Sequence, residues 1–315
     1  RGDLINQGNG GSAMVFTTKT ARTNATDPST TLIFDNHFAD QDLVCNGEVR
    51  LECVVINKGS DQTYALNITA DAPNQFNLFG RTNGAAPDDP DDNSEKALAL
   101  NSGTVSLGPN TYARLSTGDN YNINVDARLL VNGGTAEQTG GFATVPYGTL
   151  QISNGGTMIA PVGSGVTIRR SGVILVEDGL LEARQIRTSV LGGALHLGAY
   201  IQSGGTTRLL GGVPGPGAGG RARFSLPYET NVFQMSGGVL EIHSENLVNQ
   251  GGVHERGLDI RSNSANYAVT GGTVQLVMDG DLTRRMAINT TAPLFNLDII
   301  GGGGRNVSVT ASNEP

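Results

Sequence analysis

Short alternations of apolar and polar residues recur along the chain, and each of the clearest ones contains a Ser or Thr followed by a pair of glycines. The best copies are QSGGTTRLL from Gln202, FQMSGGVLEIH from Phe233 and YAVTGGTVQLVM from Tyr267. Their glycine pairs are 33 and 34 residues apart. A repeat of this length indicates one structural unit stacked on copies of itself, because a single unit cannot bury its own apolar side. The pattern therefore predicts a β-solenoid.

The glycine pairs are predicted to form corners between strands. Glycine allows a positive φ and has no Cβ to block the coil above. A phosphate-binding glycine loop would instead need a helix behind it, and here each pair is followed by another strand. RARFSLPY, HERGLDIRS and PLFNLDII are predicted to supply other sides of the same coils, and the GGGG run near Gly302 to continue the period. LLEARQIRT from Leu180 is the best helical candidate, and we interpret it as a strand after the turn EDG.

The predicted fold class is all-β: a right-handed parallel β-helix, or β-solenoid, with an irregular N-terminal cap and long loops. Residues 1–45 are assigned to the cap and residues 151–315 to regular coils with glycine pairs. Residues 46–150 suit either early coils with long loops or a separate β-sandwich, since alternating strands and polar turns fit both. A solenoid grows along one axis, so the chain length does not require a division into domains.

Composition and charge narrow the possible partners. The 315 residues include 45 glycines and no Trp, and stretches with helical periodicity are nearly absent. The formal net charge is −8 and no Lys/Arg run exceeds two residues, which argues against nucleic acid as a partner. No apolar run is long enough to predict membrane insertion. Because the chain begins at Arg1 without a signal peptide, we expect a piece of a longer polypeptide.

Two cysteines bear on the cellular compartment. Cys45 and Cys53 lie eight residues apart in DLVCNGEVRLECVV, where two strands or two turns of a coil could bring them within bonding range. A disulfide is favoured over two buried thiols, and it would indicate an oxidising, extracellular environment.

Acidic residues suggest one metal site, and no other cofactor is predicted. The segment APDDPDDNSEK carries the candidate calcium ligands Asp88, Asp89, Asp91, Asp92 and Glu95. Calcium takes six to eight oxygen ligands, which suits such crowding, but a solvated acidic loop is the competing interpretation. A second acidic loop with Asp35, Asn36, Asp40 and Asp42 is a weaker candidate. The four histidines lack the spacing of a zinc site.

The last third of the chain resembles a known family. Tyr267, Thr270, Gly271, Gly272, Thr273 and Val274 match an aromatic-x-x-[ST]-G-G-T-[VL] motif, and Phe295, Asn296, Leu297 and Ile299 match an aromatic-x-N-L-x-I motif. Together they resemble the Gly-rich β-helix repeats of large secreted surface proteins and adhesins of the Bacteroidota. The resemblance implies an extracellular parallel β-helix of the pectin-lyase-like shape and supplies no catalytic residues.

The expected function is an extracellular structural or adhesive segment that forms a rigid rod on a cell surface or in a filament. The expected partners are copies of the chain or neighbouring domains of a longer chain, with a glycan or matrix component as a further possibility. The alternative is a polysaccharide lyase or glycoside hydrolase, which needs two carboxylates facing each other across a sugar-sized gap. Candidates are Glu241, Glu245, Asp259, Asp279 and Asp281, the last two near Arg284 and Arg285. The lack of Trp disfavours this alternative, and alternation predicts an outward, solvated Glu241.

Overall fold

The computed structural model shows an all-β parallel β-helix, which confirms the predicted fold class. The structure describes residues 3–6, 14–15, 31–51, 53–73, 75–78, 97–115, 120–138, 143–161, 165–189, 197–210, 223–243, 255–278, 286–301 and 309–311. Every strand pairing in these ranges is parallel. Among these residues there is no helix long and apolar enough to cross a membrane.

The strands are short and follow one another coil by coil, where a coil is one turn of the β-helix. Coils 1 to 4 contain β1 (Leu4–Asn6), β2 (Met14–Val15), β3 (Thr31–Phe34), β4 (Gln41–Cys45), β5 (Val49–Leu51), β6 (Cys53–Asn57), β7 (Ala65–Ala70), β8 (Phe76–Leu78), β9 (Leu98–Leu107), β10 (Thr111–Arg114) and β11 (Tyr121–Ile123). Coils 5 to 7 contain β12 (Ala127–Asn132), β13 (Thr135–Glu137), β14 (Thr144–Pro146), β15 (Thr149–Ser153), β16 (Thr157–Ala160), β17 (Val166–Ile168), β18 (Val173–Val176), β19 (Leu180–Ala183) and β20 (Ile186–Thr188). Coils 8 to 10 and a partial coil 11 contain β21 (Ala199–Gln202), β22 (Thr206–Leu209), β23 (Phe224–Leu226), β24 (Val232–His243), β25 (Glu255–Ile260), β26 (Tyr267–Met278), β27 (Met286–Thr290), β28 (Asn296–Gly301) and β29 (Val309–Ala311).

The three strands of each coil belong to three stacks, which we call sheets A, B and C in the order in which the chain meets them. Sheet A runs through β1, β4, β7, β9, β12, β15, β18, β21, β24 and β26, and sheet B through β2, β5, β8, β10, β13, β16, β19, β22, β24, β26 and β28. Sheet C has two parts, β3 with β6 and the start of β9, and then β11, β14, β17, β20, β23, β25, β27 and β29. β24 and β26 each run from sheet A into sheet B without interruption.

The core is a set of residue rows that follow the axis. In sheet A, Leu129, Leu150, Ile174, Tyr200 and Phe233 occupy paired positions on successive coils, and all five are fully buried. Successive side chains of a strand point to opposite sides, so the alternating sequence places every second residue in this core. The in-register stacking means that each core residue packs on its counterpart one coil away.

The glycine pairs form the corner between sheets A and B, as their sequence pattern predicts. Gly205 and Gly238 have φ values of 62° and 75°. A Cβ on Gly238 would lie 2.5 Å from the carbonyl oxygen of Gly204 in the preceding coil, and one on Gly205 would lie 2.6 Å from that of Gly179. The corner therefore requires glycine both for its backbone conformation and for the close approach of neighbouring coils.

Two predicted pieces lie elsewhere than expected. PLFNLDII supplies β28, which pairs with the second half of β26 in sheet B and so continues the sheet of the glycine-pair strands themselves. Gly301 ends β28, so the start of the GGGG run follows a sheet B strand instead of preceding it at the A–B corner.

The piece LLEARQIRT forms β19 and β20, which confirms its interpretation as extended chain.

The first 150 residues contribute to the same β-helix. β5, β8, β10 and β13 stack in parallel within sheet B, so the described strands of residues 46–150 belong to coils and form no β-sandwich of antiparallel strands. The described part of residues 1–45 already forms coil strands, since β1 pairs with β4 and β3 with β6. Residues 7–13 and 16–30 of the assigned cap lie outside the described residues.

Candidate functional site

β28 is the last described strand of sheet B. β28 pairs along its length with β26, from Asn296 opposite Thr273 to Gly301 opposite Met278. No strand in the described part of the chain pairs with its other edge. An edge of this kind presents unpaired backbone N–H and C=O groups to any further strand.

The core rows of sheet B reach the surface at β28. Leu297 continues the row of Leu240 and Val274, and Ile299 continues the row of Ile242 and Leu276. Val274 and Leu276 are 2% and 0% exposed, whereas Leu297 and Ile299 are 40% and 42% exposed. Their exposure follows from the absence of another described coil over these inward-facing positions.

Exposed apolar residues concentrate at the two ends of the β-helix. Beside Leu297 and Ile299, the large exposed apolar side chains of the last coil are Phe295 and Ile300. At the other end, Ile33 in β3 and Phe38 just after it are also exposed. In the described coils between the ends, the corresponding residues are Val125 and Leu197. Among the described residues, large exposed apolar side chains are therefore more frequent in the first and last coils than in the coils between them.

A row of charges crosses sheet B on its outer side. Glu182, Arg208 and Glu241 occupy paired positions of β19, β22 and β24. The Arg208 Nε donates to Glu241 Oε2 at 3.2 Å, and Arg208 Nη1 donates to Glu182 Oε2 at 3.4 Å. Burial alone would lower the pKa of Arg208. The hydrogen bonds that Arg208 makes with Glu241 and Glu182, together with their negative charges, outweigh burial, so the pKa of Arg208 is raised. His243 also contacts the Glu241 carboxylate.

The two described carboxylates considered for glycoside hydrolysis, Glu241 and Asp259, lie on different sheets. Glu241 points outward as predicted, but its side chain is only 15% exposed, because Arg208 and His243 flank it. Asp259 lies on sheet C and accepts hydrogen bonds from Arg261 Nε and Asn289 Nδ2, each at 3.0 Å. The two described candidates thus lie on different sheets, each paired with an arginine. Glu245, Asp279, Asp281, Arg284 and Arg285 lie outside the described residues.

The two cysteines are not joined to each other in the structure. Cys45 ends β4 in sheet A, and Cys53 begins β6 in sheet C, with β5 of sheet B between them. Both side chains are buried as thiols. Burial, followed by the charge of Asp71, raises the pKa of Cys45 to about 12. The disulfide favoured by the spacing is therefore absent, because consecutive sheets of a coil separate the two residues.

The proposed calcium ligands Asp88, Asp89, Asp91, Asp92 and Glu95 all lie outside the described residues. In the second acidic loop, Asp40 accepts a hydrogen bond from the backbone N–H of Ala65 at 2.7 Å, and Asp42 accepts one from Asn67 Nδ2 at 3.1 Å. Within the described ranges, no group of three or more His, Cys, Asp or Glu residues is arranged to hold a metal ion.

A buried lysine near the start of the β-helix was not found by sequence reasoning. Lys58 is fully buried, and its Nζ donates to the Ala39 carbonyl at 2.9 Å and to Gln41 Oε1 at 3.0 Å. Burial lowers its pKa, and the charges of Asp40, Asp3 and Asp35 oppose that effect. The sequence VINKGS gives no signal for this, since a lysine before a glycine usually marks an exposed turn.

Comparisons with models of protein families, with curated proteins and with solved structures find no match to this chain. The features that bear on function are therefore those of the chain itself: the open last coil, the apolar ends and the charges along the sides.

Proposed function

We propose that this chain is an extracellular structural segment, a rigid rod that spaces or displays material on a cell surface or within a filament. The fold supports this proposal. Ten stacked coils with a rise of about 4.8 Å each make a rod roughly 50 Å long whose backbone hydrogen bonds run along the axis. The resemblance of its last third to repeats of secreted Bacteroidota surface proteins supports the extracellular location.

The open last coil is the observation that carries the proposal. Leu297 and Ile299 pair in register with buried core residues of β26, yet their own side chains are exposed. In the described structure no further strand pairs with the other edge of their strand. Burying them requires one more parallel coil. The next stretch of a longer chain, or the first coil of a second copy, would continue the stack in the same direction. Contacts between unlike ends do not close, so they extend into filaments.

Electron microscopy of the purified chain over a range of concentrations tests this proposal. We expect rods longer than a single copy, with the repeat set by the ten-coil length. The double variant Leu297→Lys/Ile299→Lys should give single short rods, because each lysine would have to be desolvated in the contact. Phe295→Lys, at a 61% exposed position, tests the same contact with less risk to folding.

Val125→Lys is the matched control, since Val125 is also exposed but lies on the side of the rod. It should assemble like the unmodified chain. Single rods of the unmodified chain at every concentration would contradict end-to-end association, as would filaments of the double variant indistinguishable from those of the unmodified chain.

A further inference from the structure

Three side chains cluster where the chain turns from sheet C to sheet A of the next coil, a position that we call the C–A corner. Tyr147 follows β14, and Arg169 and Arg170 follow β17. The backbone N–H of Arg169 donates to the Pro146 carbonyl at 3.0 Å, and that of Leu197 donates to the Arg170 carbonyl at 3.0 Å. These residues therefore stack on consecutive coils along one corner of the rod.

The two arginines gather around the tyrosine. Arg169 Nη1 donates to the Tyr147 hydroxyl at 2.9 Å. The guanidinium carbons of Arg169 and Arg170 lie 5.9 and 5.6 Å from the centre of the Tyr147 ring, within the range of cation–π attraction. The contact fixes two positive charges beside one aromatic ring.

No carboxylate in the described structure forms a salt bridge with this pair. Arg50, Arg208 and Arg261 each have a carboxylate oxygen within 3.4 Å. Arg169 and Arg170 have no carboxylate within salt-bridge distance among the described residues, and residues 190–196, which precede Leu197, contain no Asp or Glu. Two adjacent guanidinium groups without a counter-charge are unexpected in a chain of net charge −8. They create a local positive potential that favours an anion.

The backbone of Arg170 adds an independent indication. Its φ is 53°, in the left-handed region, and the other described residues with positive φ are glycines and the two asparagines Asn110 and Asn154. Glycine or asparagine adopts this conformation at lower cost than arginine. A turn with only a structural role would be more stable with one of them. Strained positions of this kind cluster at binding sites.

We propose that Tyr147, Arg169 and Arg170 form a binding site for the carboxylate or sulfate groups of an acidic polysaccharide. The planar guanidinium group donates paired hydrogen bonds that match both anions. This site goes beyond the structural role proposed above and does not depend on end-to-end association.

The surface next to this site, one coil before Tyr147, favours a polysaccharide over a single small anion. There the same corner borders a shallow depression of about 360 Å³, lined by Asp61, Gln62, Thr63, Val125, Asp126 and Arg128. Gln62 is held in place, since its Oε1 accepts from Arg128 Nε at 3.2 Å and its carbonyl accepts from Thr104 Oγ1 at 2.8 Å. Such fixed polar groups suit sugar hydroxyls, whereas the carboxylates of Asp61 and Asp126 disfavour a second acidic group there. A chain lying along the corner could therefore place an acidic group on the arginines and the hydroxyl groups of a neighbouring ring in the depression.

Direct binding measurements test the site with defined polymers. Polygalacturonate supplies carboxylates, dextran sulfate supplies sulfates, and neutral dextran supplies sugar rings without charge. We expect the chain to bind at least one of the two anionic polymers at low salt, to lose affinity as salt rises, and to bind dextran weakly or not at all. The anionic polymer that the chain binds more tightly identifies the preferred anionic group.

The decisive variant is Arg170→Gly, because glycine removes the guanidinium group and adopts a φ of 53° without strain. It should keep or raise the melting temperature and weaken binding by at least about tenfold. Arg50→Gln removes a partly exposed arginine that pairs with Glu48 and should leave the affinity unchanged.

Equal affinity of Arg170→Gly and the unmodified chain would overturn the site, as would a failure of both anionic polymers to bind. Polyglutamate that binds as tightly as the anionic glycans would assign the arginines to an acidic peptide instead. In each case rod assembly under the microscope is unaffected, so failure of this site and failure of the structural proposal remain distinguishable.

Discussion

Coils 4 to 7 and coils 8 to 10 share one register but fill their interiors differently. In the earlier group the sheet A core row is aliphatic, with Leu129, Leu150 and Ile174. In the later group Tyr200, Phe224 and Phe233 form an aromatic cluster with ring centres 4.8 to 6.1 Å apart. The same parallel stacking thus accepts two different cores, provided that each residue packs on its neighbour one coil away.

The two groups also differ in coil length. Leu129 and Leu150, paired on neighbouring coils, are 21 residues apart, whereas Tyr200 and Phe233 are 33 apart. The connection from sheet B to sheet C accounts for most of the difference, since residues 138–143 join β13 to β14 and residues 210–223 join β22 to β23. In both groups the A–B corner stays short, with at most three residues between the strands. Coil length is therefore variable at one corner and fixed at another.

The largest effect should come from truncating the aromatic cluster. Phe233→Ala should lower the free energy of unfolding by about 3–5 kcal/mol, because Phe233 is fully buried between Tyr200 and Phe224. Chemical denaturation measures this. Phe295→Ala, the same change at a 61% exposed position, should stay within about 0.5 kcal/mol. Similar losses for the two variants would show that the aromatic cluster does not stabilise the later coils.

The next largest loss of stability is expected at the A–B corner. Gly155 in the earlier coils and Gly238 in the later coils have the same φ of 75°, so their alanine variants can be compared. Gly238→Ala should cost about 2–4 kcal/mol, since its Cβ would lie 2.5 Å from the Gly204 carbonyl oxygen. Gly155→Ala should cost only about 1–2 kcal/mol of backbone strain, because nothing lies within 4 Å of its Cβ. The difference between the two melting temperatures isolates the coil contact from the strain, and equal values would contradict the close approach in the later coils.

A smaller effect compares two buried tyrosines. The Tyr200 hydroxyl contacts Gln202 Oε1 at 2.6 Å and Thr207 Oγ1 at 2.8 Å, whereas no partner contacts the Tyr121 hydroxyl in the described structure. Tyr200→Phe should therefore destabilise by about 1–3 kcal/mol, as it leaves buried polar partners unsatisfied. Tyr121→Phe should be neutral or stabilising by about 1 kcal/mol. Denaturation curves of the two variants should shift in different directions, and a loss for Tyr121→Phe equal to that for Tyr200→Phe would show that its hydroxyl is satisfied.

The smallest effect should come from lengthening a short coil of the earlier group. A twelve-residue Gly/Ser insertion between Gly140 and Gly141, in the connection from β13 to β14, should cost roughly 1 kcal/mol, because loop closure depends weakly on length. The same insertion between Gly133 and Gly134 at the A–B corner should disrupt folding, as their N–H groups bond to Ser153 and Leu107 of the adjoining coils. Circular dichroism and thermal melting compare the two. Equal tolerance would contradict a fixed A–B corner.

The sequence predicted the parts of this fold that repeat locally. The repeated sequence motifs that start at Gln202, Phe233 and Tyr267 correctly predict the glycine corner and the strand that follows it, because both depend on neighbouring residues alone. The contact of Arg208 with Glu182 and Glu241 could not be found in this way. These residues are 26 and 33 positions apart, and only the unequal coil lengths bring them into one row. The Arg170 conformation likewise depends on the turn that the whole coil imposes.

The direction of the hydrogen bonds has a mechanical consequence. Since neighbouring coils are joined by bonds parallel to the axis, a pull on the two chain ends loads the outermost coil first and leaves the others intact. The rod should lengthen in steps, each releasing one coil of 21 to 39 residues, or about 70 to 130 Å of extended chain. A tether built this way would absorb a sudden load by giving up one turn at a time.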